Sequence, residues 1–196
     1  MTDASVLPTR RVDLWFAGTS PQNRWSVGFR IILAIPQLFV LLVLYVVAFF
    51  VAVIGWFGAL FTGRLPMWAH EFLTGLVRWS TRVSAYVLLL TDRYPPFSLD
   101  AGQYAVVLEV DYPTELSRWM IFIKWLLVIP NLIVVLLLGV VSILLTIVAW
   151  FAILFTGQFP RALFDFVVGV HRWFWRASGY ALYFYTDSYP PFGMSP

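Results

Sequence analysis

The ionisable side chains that recur at fixed spacing are Arg78 with Arg82, and Arg172 with Arg176. Each pair is four residues apart, and the pairs are 94 residues apart. Glu71 and Asp165 precede the first arginine of each pair by seven residues. Spacings of four and seven put these groups on one face of a helix. Such a face can form buried ion pairs or grip anionic headgroups, and Glu71 with Asp165 could serve as a proton-relay pair. Ion pairing is the simplest of these, so Glu71 and Asp165 are the expected counter-charges. Other chemistry is scarce. There is no cysteine, which excludes disulfides, thiolate catalysis and Cys-ligated metals. His70 and His171 fall in different registers of the repeat and do not compose a metal site. No serine, histidine and carboxylate share a face. Gly63 and Gly157 stand alone at helix ends rather than in a phosphate loop. The expectation is a protein with no catalytic residue, no cofactor and no metal.

The elements that carry these residues have an unusual composition. Apolar residues make up 61% of the 196 positions and charged residues 12%. Soluble domains have about 45–50% and about 25%, so too few charges remain to coat a water-soluble fold. The bilayer is the expected solvent. The net charge of +3 is too small to suggest a nucleic-acid partner. The N-terminal stretch has two arginines but no short apolar core behind them, so no cleavable signal is expected.

The chain repeats itself. Residues 24–86 align without gaps on residues 118–180. Arg24-Trp25 matches Arg118-Trp119, and Ile35-Pro36 matches Ile129-Pro130. LFTG at 60–63 matches LFTG at 154–157, followed by Pro66 and Pro160. Arg78-Trp79, Arg82 and Tyr86 match Arg172-Trp173, Arg176 and Tyr180. TDRYPPF at 91–97 matches TDSYPPF at 186–192 after one inserted residue. Hydrophobicity alone would not keep Gly, Pro, Arg and Trp in register. Two repeats are expected, 1–97 and 98–196. Each has a strand-like prelude in which Val12, Leu14 and Phe16, or Val106, Leu108 and Val110, alternate along the chain. The preludes either pair with each other or receive a further strand from YPPF.

Within a repeat, apolar sequence runs from Trp25 to Phe61. As one helix it would span about 55 Å, against a hydrocarbon core of about 30 Å. Pro36 and Pro130 are placed to break the run. This leaves an interfacial lead-in with Arg24, Arg30, Arg118 and Lys124 at the headgroups, and first spans over 37–61 and 131–155. Gly63 and Gly157 suit left-handed C′ positions, and Pro66 and Pro160 suit the first turn of the next helix. So short a link makes the second helices lie antiparallel to the first or sharply angled to them. Unpaired arginines in lipid would cost about 2.5–3.5 kcal/mol each at the centre, so these helices either span with their arginines facing inward or lie along the interface.

Matching entry segments imply an even number of crossings per repeat. Four transmembrane helices in two tandem hairpins follow, an all-α membrane fold with short cytoplasmic strands. The entry side would hold seven basic residues (Arg10, Arg11, Arg24, Arg30, Arg93, Arg118 and Lys124), the hairpin tips only Arg64 and Arg161. The positive-inside rule then puts both termini in the cytoplasm of a multi-pass inner-membrane protein. Trp25, Trp68, Trp119, Tyr94 and Tyr189 would form an aromatic belt.

The tandem LFTGxxP, RWxxRxxxY and TDxYPPF elements resemble a bacterial membrane family of unknown function, and the resemblance covers nearly the whole chain. It implies the repeated module and no activity. The expected role is a non-catalytic subunit or scaffold of a larger membrane protein complex, in contact with membrane lipids. The alternative is a lipid-binding or lipid-transport-associated protein that uses the paired arginines.

Overall fold

The computed structural model describes residues 12–102, 104–112, 116–183 and 185–194. Arg10 and Arg11, counted above toward the entry side, lie outside them. In chain order the elements are β1 (Val12–Phe16), α1 (Arg24–Gly28), α2 (Arg30–Thr62), α3 (Met67–Val87), β2 (Val106–Val110), α4 (Met120–Leu127), α5 (Ile129–Thr156) and α6 (Arg161–Ala181).

Two helices, α2 and the α4–α5 run Met120–Thr156, are long and apolar enough to cross a membrane. The four anticipated spans thus reduce to two candidates among the described residues. The inner faces of both are narrow. On α2 it is Ala34, Gln37, Leu41, Ala48, Gly55 and Ala59; on α5 it is Asn131, Val135, Ser142, Ala149 and Ile153. Spacings of three, four and seven make one stripe. The rest of each helix exposes apolar side chains such as Phe39, Phe50, Ile54, Leu137 and Leu144.

Helices α3 and α6 are different. Most of α3 is buried, from Leu73 through Val77 and on to Tyr86, because it is covered on two sides. α2 packs on one side and β2 on the other, while α6 lies between α5 and β1. Close approach of α2 and α3 requires small residues at their junction. A Cβ on Gly58 would come within 2.7 Å of the Pro66 ring, and one on Gly55 within 2.9 Å of Leu65.

The preludes pair with each other. β1 and β2 form an antiparallel ribbon with Leu14 directly opposite Leu108, and both side chains are buried. Because β1 packs on α6 and β2 on α3, each prelude serves the other repeat. Three layers result: ribbon, then α3 with α6, then α2 with α5.

Three local expectations change. Pro36 does not end a helix: α2 runs through it from Arg30 to Thr62. A proline there removes the donor that would serve the Ile32 carbonyl, and next to it the Leu33 carbonyl accepts from the Tyr94 hydroxyl at 3.2 Å. The break in repeat one lies at Phe29, and in repeat two at Val128, with Pro130 in the first turn of α5. Pro66 and Pro160 occupy the N-cap positions of α3 and α6, one residue earlier than expected. Gly63 and Gly157 do cap their helices in the left-handed conformation, at φ 73° and 76°.

Candidate functional site: a cation cluster built twice

The sequence reading put Arg30 and Lys124 at headgroups. Instead they are among the most buried side chains, 1% and 0% exposed. Arg30 begins α2 and Lys124 lies in the last turn of the lead-in helix α4, and each is met by the TDxYPPF loop of its own repeat. In repeat one, Arg30 ion-pairs with Asp92 at 2.5 Å. It also donates to the Thr91 carbonyl at 2.8 Å, the Tyr86 carbonyl at 3.3 Å and the Gln22 side chain at 3.1 Å. Its guanidinium lies 4.5 Å from the centre of the Tyr86 ring. In repeat two, Lys124 ion-pairs with Asp187 at 2.5 Å, donates to the Thr186 carbonyl at 2.8 Å and sits 5.4 Å from the Tyr180 ring centre.

Two turns further along the same face, an amide completes each cluster. Gln37 donates to the Pro95 carbonyl at 2.7 Å and accepts from the Trp79 indole at 2.7 Å. Asn131 donates to the Pro190 carbonyl at 3.0 Å and accepts from the Trp173 indole. The diproline supplies a fixed φ and an unencumbered carbonyl. Thr91 and Thr186 hold the turn by accepting from the backbone N–H two residues on. The second oxygens of the two aspartates reach the entry segment of the same repeat: Asp92 accepts from the Asn23 N–H and Asp187 from the Ser117 N–H. The repeated Trp, Tyr and TDxYPPF letters are thus parts of one latch, present twice.

The arginines that recur at 94-residue spacing occupy a second, separate place. Arg172 Nε donates to the Leu14 carbonyl at 2.9 Å and stacks over Phe16. Arg78 Nε reaches the Leu108 carbonyl at 3.5 Å. Each therefore ties its helix to the ribbon strand of the other repeat. Arg82 donates to the carbonyls of Ser98 and Asp100, and Arg176 to that of Gly193 at 3.4 Å. The loops they hold lie against glycines. A Cβ on Gly75 would sit 2.9 Å from the Leu99 carbonyl, and one on Gly169 would sit 2.7 Å from Met194.

Glu71 and Asp165 are not brought inside to meet these arginines. Both are exposed, and Asp165 faces Arg161 at 4.0 Å with both side chains largely in the open. The arginines use main-chain carbonyls instead, which satisfy a guanidinium without burying a second charge. His171 accepts from the Trp175 indole at 3.1 Å and contacts Ser84 across the repeat boundary. His70 packs edge-on against Tyr112 and Tyr185. No group of metal-ligating side chains occurs among the described residues. In the linker, burial raises the Tyr104 phenol above its ordinary pKa, and its hydroxyl donates to the Arg93 carbonyl.

Sequence reasoning missed the latch. The available signal was a cation and an amide at matching positions, 30/124 and 37/131, inside an otherwise apolar run. A family model matches residues 24–98 and 118–193, two copies in tandem. The chain belongs to the DUF4389 family, described as a domain of unknown function. No curated protein and no solved structure matches it. The DUF4389 unit begins at Arg24 and Arg118 and ends after YPPF, so it contains the cation, amide, Trp, Tyr and Asp of one latch. The ribbon strands lie outside it.

Proposed function

We propose that this DUF4389 protein is a non-catalytic integral membrane subunit or scaffold, with α2 and α5 in lipid and the ribbon in the cytoplasm. The observation that carries this reading is the direction of its polar side chains. The repeated cations, amides and arginines reach backbone carbonyls and the aspartates of the TDxYPPF loops, and even Arg30, which borders a small apolar groove, is held by Asp92 rather than left open to a ligand. What the fold presents outward is apolar helix, basic corners and a small ribbon, surfaces for holding a place in a membrane assembly. The alternative, a lipid-transport role with the paired arginines on headgroups, is less supported because those guanidinium groups turn toward the ribbon and loops. The excess of basic residues favours the cytoplasmic side for the polar layer and both termini. Affinity capture of the full chain from native membranes in mild detergent tests the role. A stoichiometric membrane protein partner supports it. Capture of phospholipid alone, with transfer activity between vesicles, replaces it with the lipid-transport reading.

A further inference from the structure

The two halves are related by a twofold axis whose direction can be read from contacts. Leu14 and Leu108, equivalent positions 94 apart, face each other in an antiparallel pair. The axis therefore passes between them, perpendicular to the ribbon. Equivalent atoms lie at equal heights along such an axis. The Gly63 carbonyl, at the tip of repeat one, accepts from Leu116 N–H at the entry of repeat two; Gly157 likewise accepts from Gln22 N–H. Tips and entries therefore share one height. Arg30, at the start of α2, is bonded to Gln22, and Gly63 caps its end. Both ends of a helix about 50 Å long thus lie at nearly the same height. A helix crossing the hydrocarbon core needs its ends about 30 Å apart in that direction.

The remaining question is how the axis meets the membrane. Were it in the membrane plane, the ribbon and its exposed Glu109 would sit at mid-bilayer depth, where an ionised side chain is strongly disfavoured. With the axis along the membrane normal, the ribbon is in water and α2 and α5 form the opposite outer layer. That layer is charge-free from Ile31 to Gly63 and from Trp125 to Gly157. Open apolar grooves of about 330 and 420 Å³ lie between the helices, one between α5 and α6 and one where α2, α3 and α6 meet, lined by residues such as Val135, Ile143, Leu42 and Phe174. Their size and lining suit acyl chains. The corners where tips meet entries carry exposed cations and tryptophans. Arg64, Arg118 and Trp119 mark one; Arg24, Arg161 and Trp25 mark the other. Basic residues and tryptophan at one level fit a phosphate headgroup layer.

We propose that α2 and α5 do not cross the bilayer but lie along it, sunk into the acyl region of one leaflet, so that the protein is monotopic. Each repeat then crosses an even number of times, and that number is zero. The inference rests on the membrane reading above and adds its topology and its partner, an anionic phospholipid leaflet.

The absence of cysteine makes the test direct in the full chain. Single cysteines at the tips (Arg64→Cys and Gln158→Cys) and in the linker (Gly102→Cys) are probed with an impermeant maleimide in sealed inverted and right-side-out membrane vesicles. Spin labels at Leu42→Cys, Phe49→Cys and Phe57→Cys report depth along α2 in vesicles of phosphatidylglycerol and phosphatidylethanolamine. The expected result is labelling of all three cysteines from one and the same side, and one depth for the three spin labels to within a few ångströms. Tips that label from the side opposite the linker, with depth changing steadily along α2, overturn the monotopic topology and leave the membrane reading standing. Spin labels shielded from both lipid-dissolved oxygen and aqueous nickel reveal a protein cover and overturn the lipid partner. Recovery of the chain in the soluble fraction after carbonate washing sinks both readings.

Discussion

Arg30 and Lys124 show how a charge can be held in an apolar fold. Each is desolvated, and each is repaid by a carboxylate, carbonyls and an aromatic face at once. Removing the carboxylate should strand the cation. Asp92→Ala is expected to lower unfolding stability by about 2–3 kcal/mol, the lower part of the range for a broken buried pair, since the Asp92 side chain is 29% exposed. The double variant Arg30→Met/Asp92→Ala should lose less than Asp92→Ala alone, because no charge is then left buried. Thermal melts in detergent of the four members of this cycle read the coupling directly. The arginines that tie helix to ribbon should rank by geometry. Arg172→Leu removes a bond of 2.9 Å and a stacked ring, while Arg78→Leu removes one of 3.5 Å. A loss of about 1.5–3 kcal/mol is expected for the first and a smaller one for the second, measured by the same melts. Equal losses would show that these bonds are not what anchors the ribbon.

The elements answer to close approach. The junction of α2 with α3 leaves no room at Gly58, where the added methyl would meet a rigid proline ring at 2.7 Å. Gly58→Ala should cost about 1–3 kcal/mol, the range for overpacking. Gly102→Ala, where nothing lies within 4 Å, should be neutral, so the pair separates crowding from loss of glycine itself. Pro36 makes the opposite case. It sits inside a continuous helix, and Pro36→Ala restores a backbone donor. Stability should be unchanged or higher, with the helix content seen by circular dichroism preserved. A marked loss would mean that the local geometry set by the proline is needed to seat Gln37 against Pro95.

For the whole molecule, the exchange of preludes matters most. β1 completes the surface of α6, and β2 that of α3; Gln22 also caps the tip of the opposite hairpin. Neither half can therefore close its own polar edges. The fragments 1–97 and 98–196, expressed separately, should aggregate or be degraded. Co-expressed, they should reassociate into one particle of the size of the intact chain, read by size-exclusion chromatography in detergent. A stable, monodisperse single half would show that the exchange is not needed for folding.

The sequence determined the repeat, the helix ends at Gly63 and Gly157, the strand character of Val12–Phe16 and Val106–Val110, and the apolar surface. These are properties of local patterns: period, composition, and residues with restricted or permissive backbones. It left open, or misassigned, the partners of its charges. Seven residues separate Glu71 from Arg78 along one helix, which made a pair look natural, but the ribbon and loops bring carbonyls closer than the carboxylate. Asp92 is 62 residues from Arg30, and nothing local says that the YPPF loop folds back beneath the start of α2. Pro36 was read as a break because propensity speaks for isolated helices, whereas packing along the inner stripe of α2 carries the helix through. The relation of tips to entries was likewise invisible. Two hairpins in tandem can be arranged side by side or head to tail with the same local sequence signals. Only the pairing of Leu14 with Leu108, and of each tip with the other repeat's entry, decides between them.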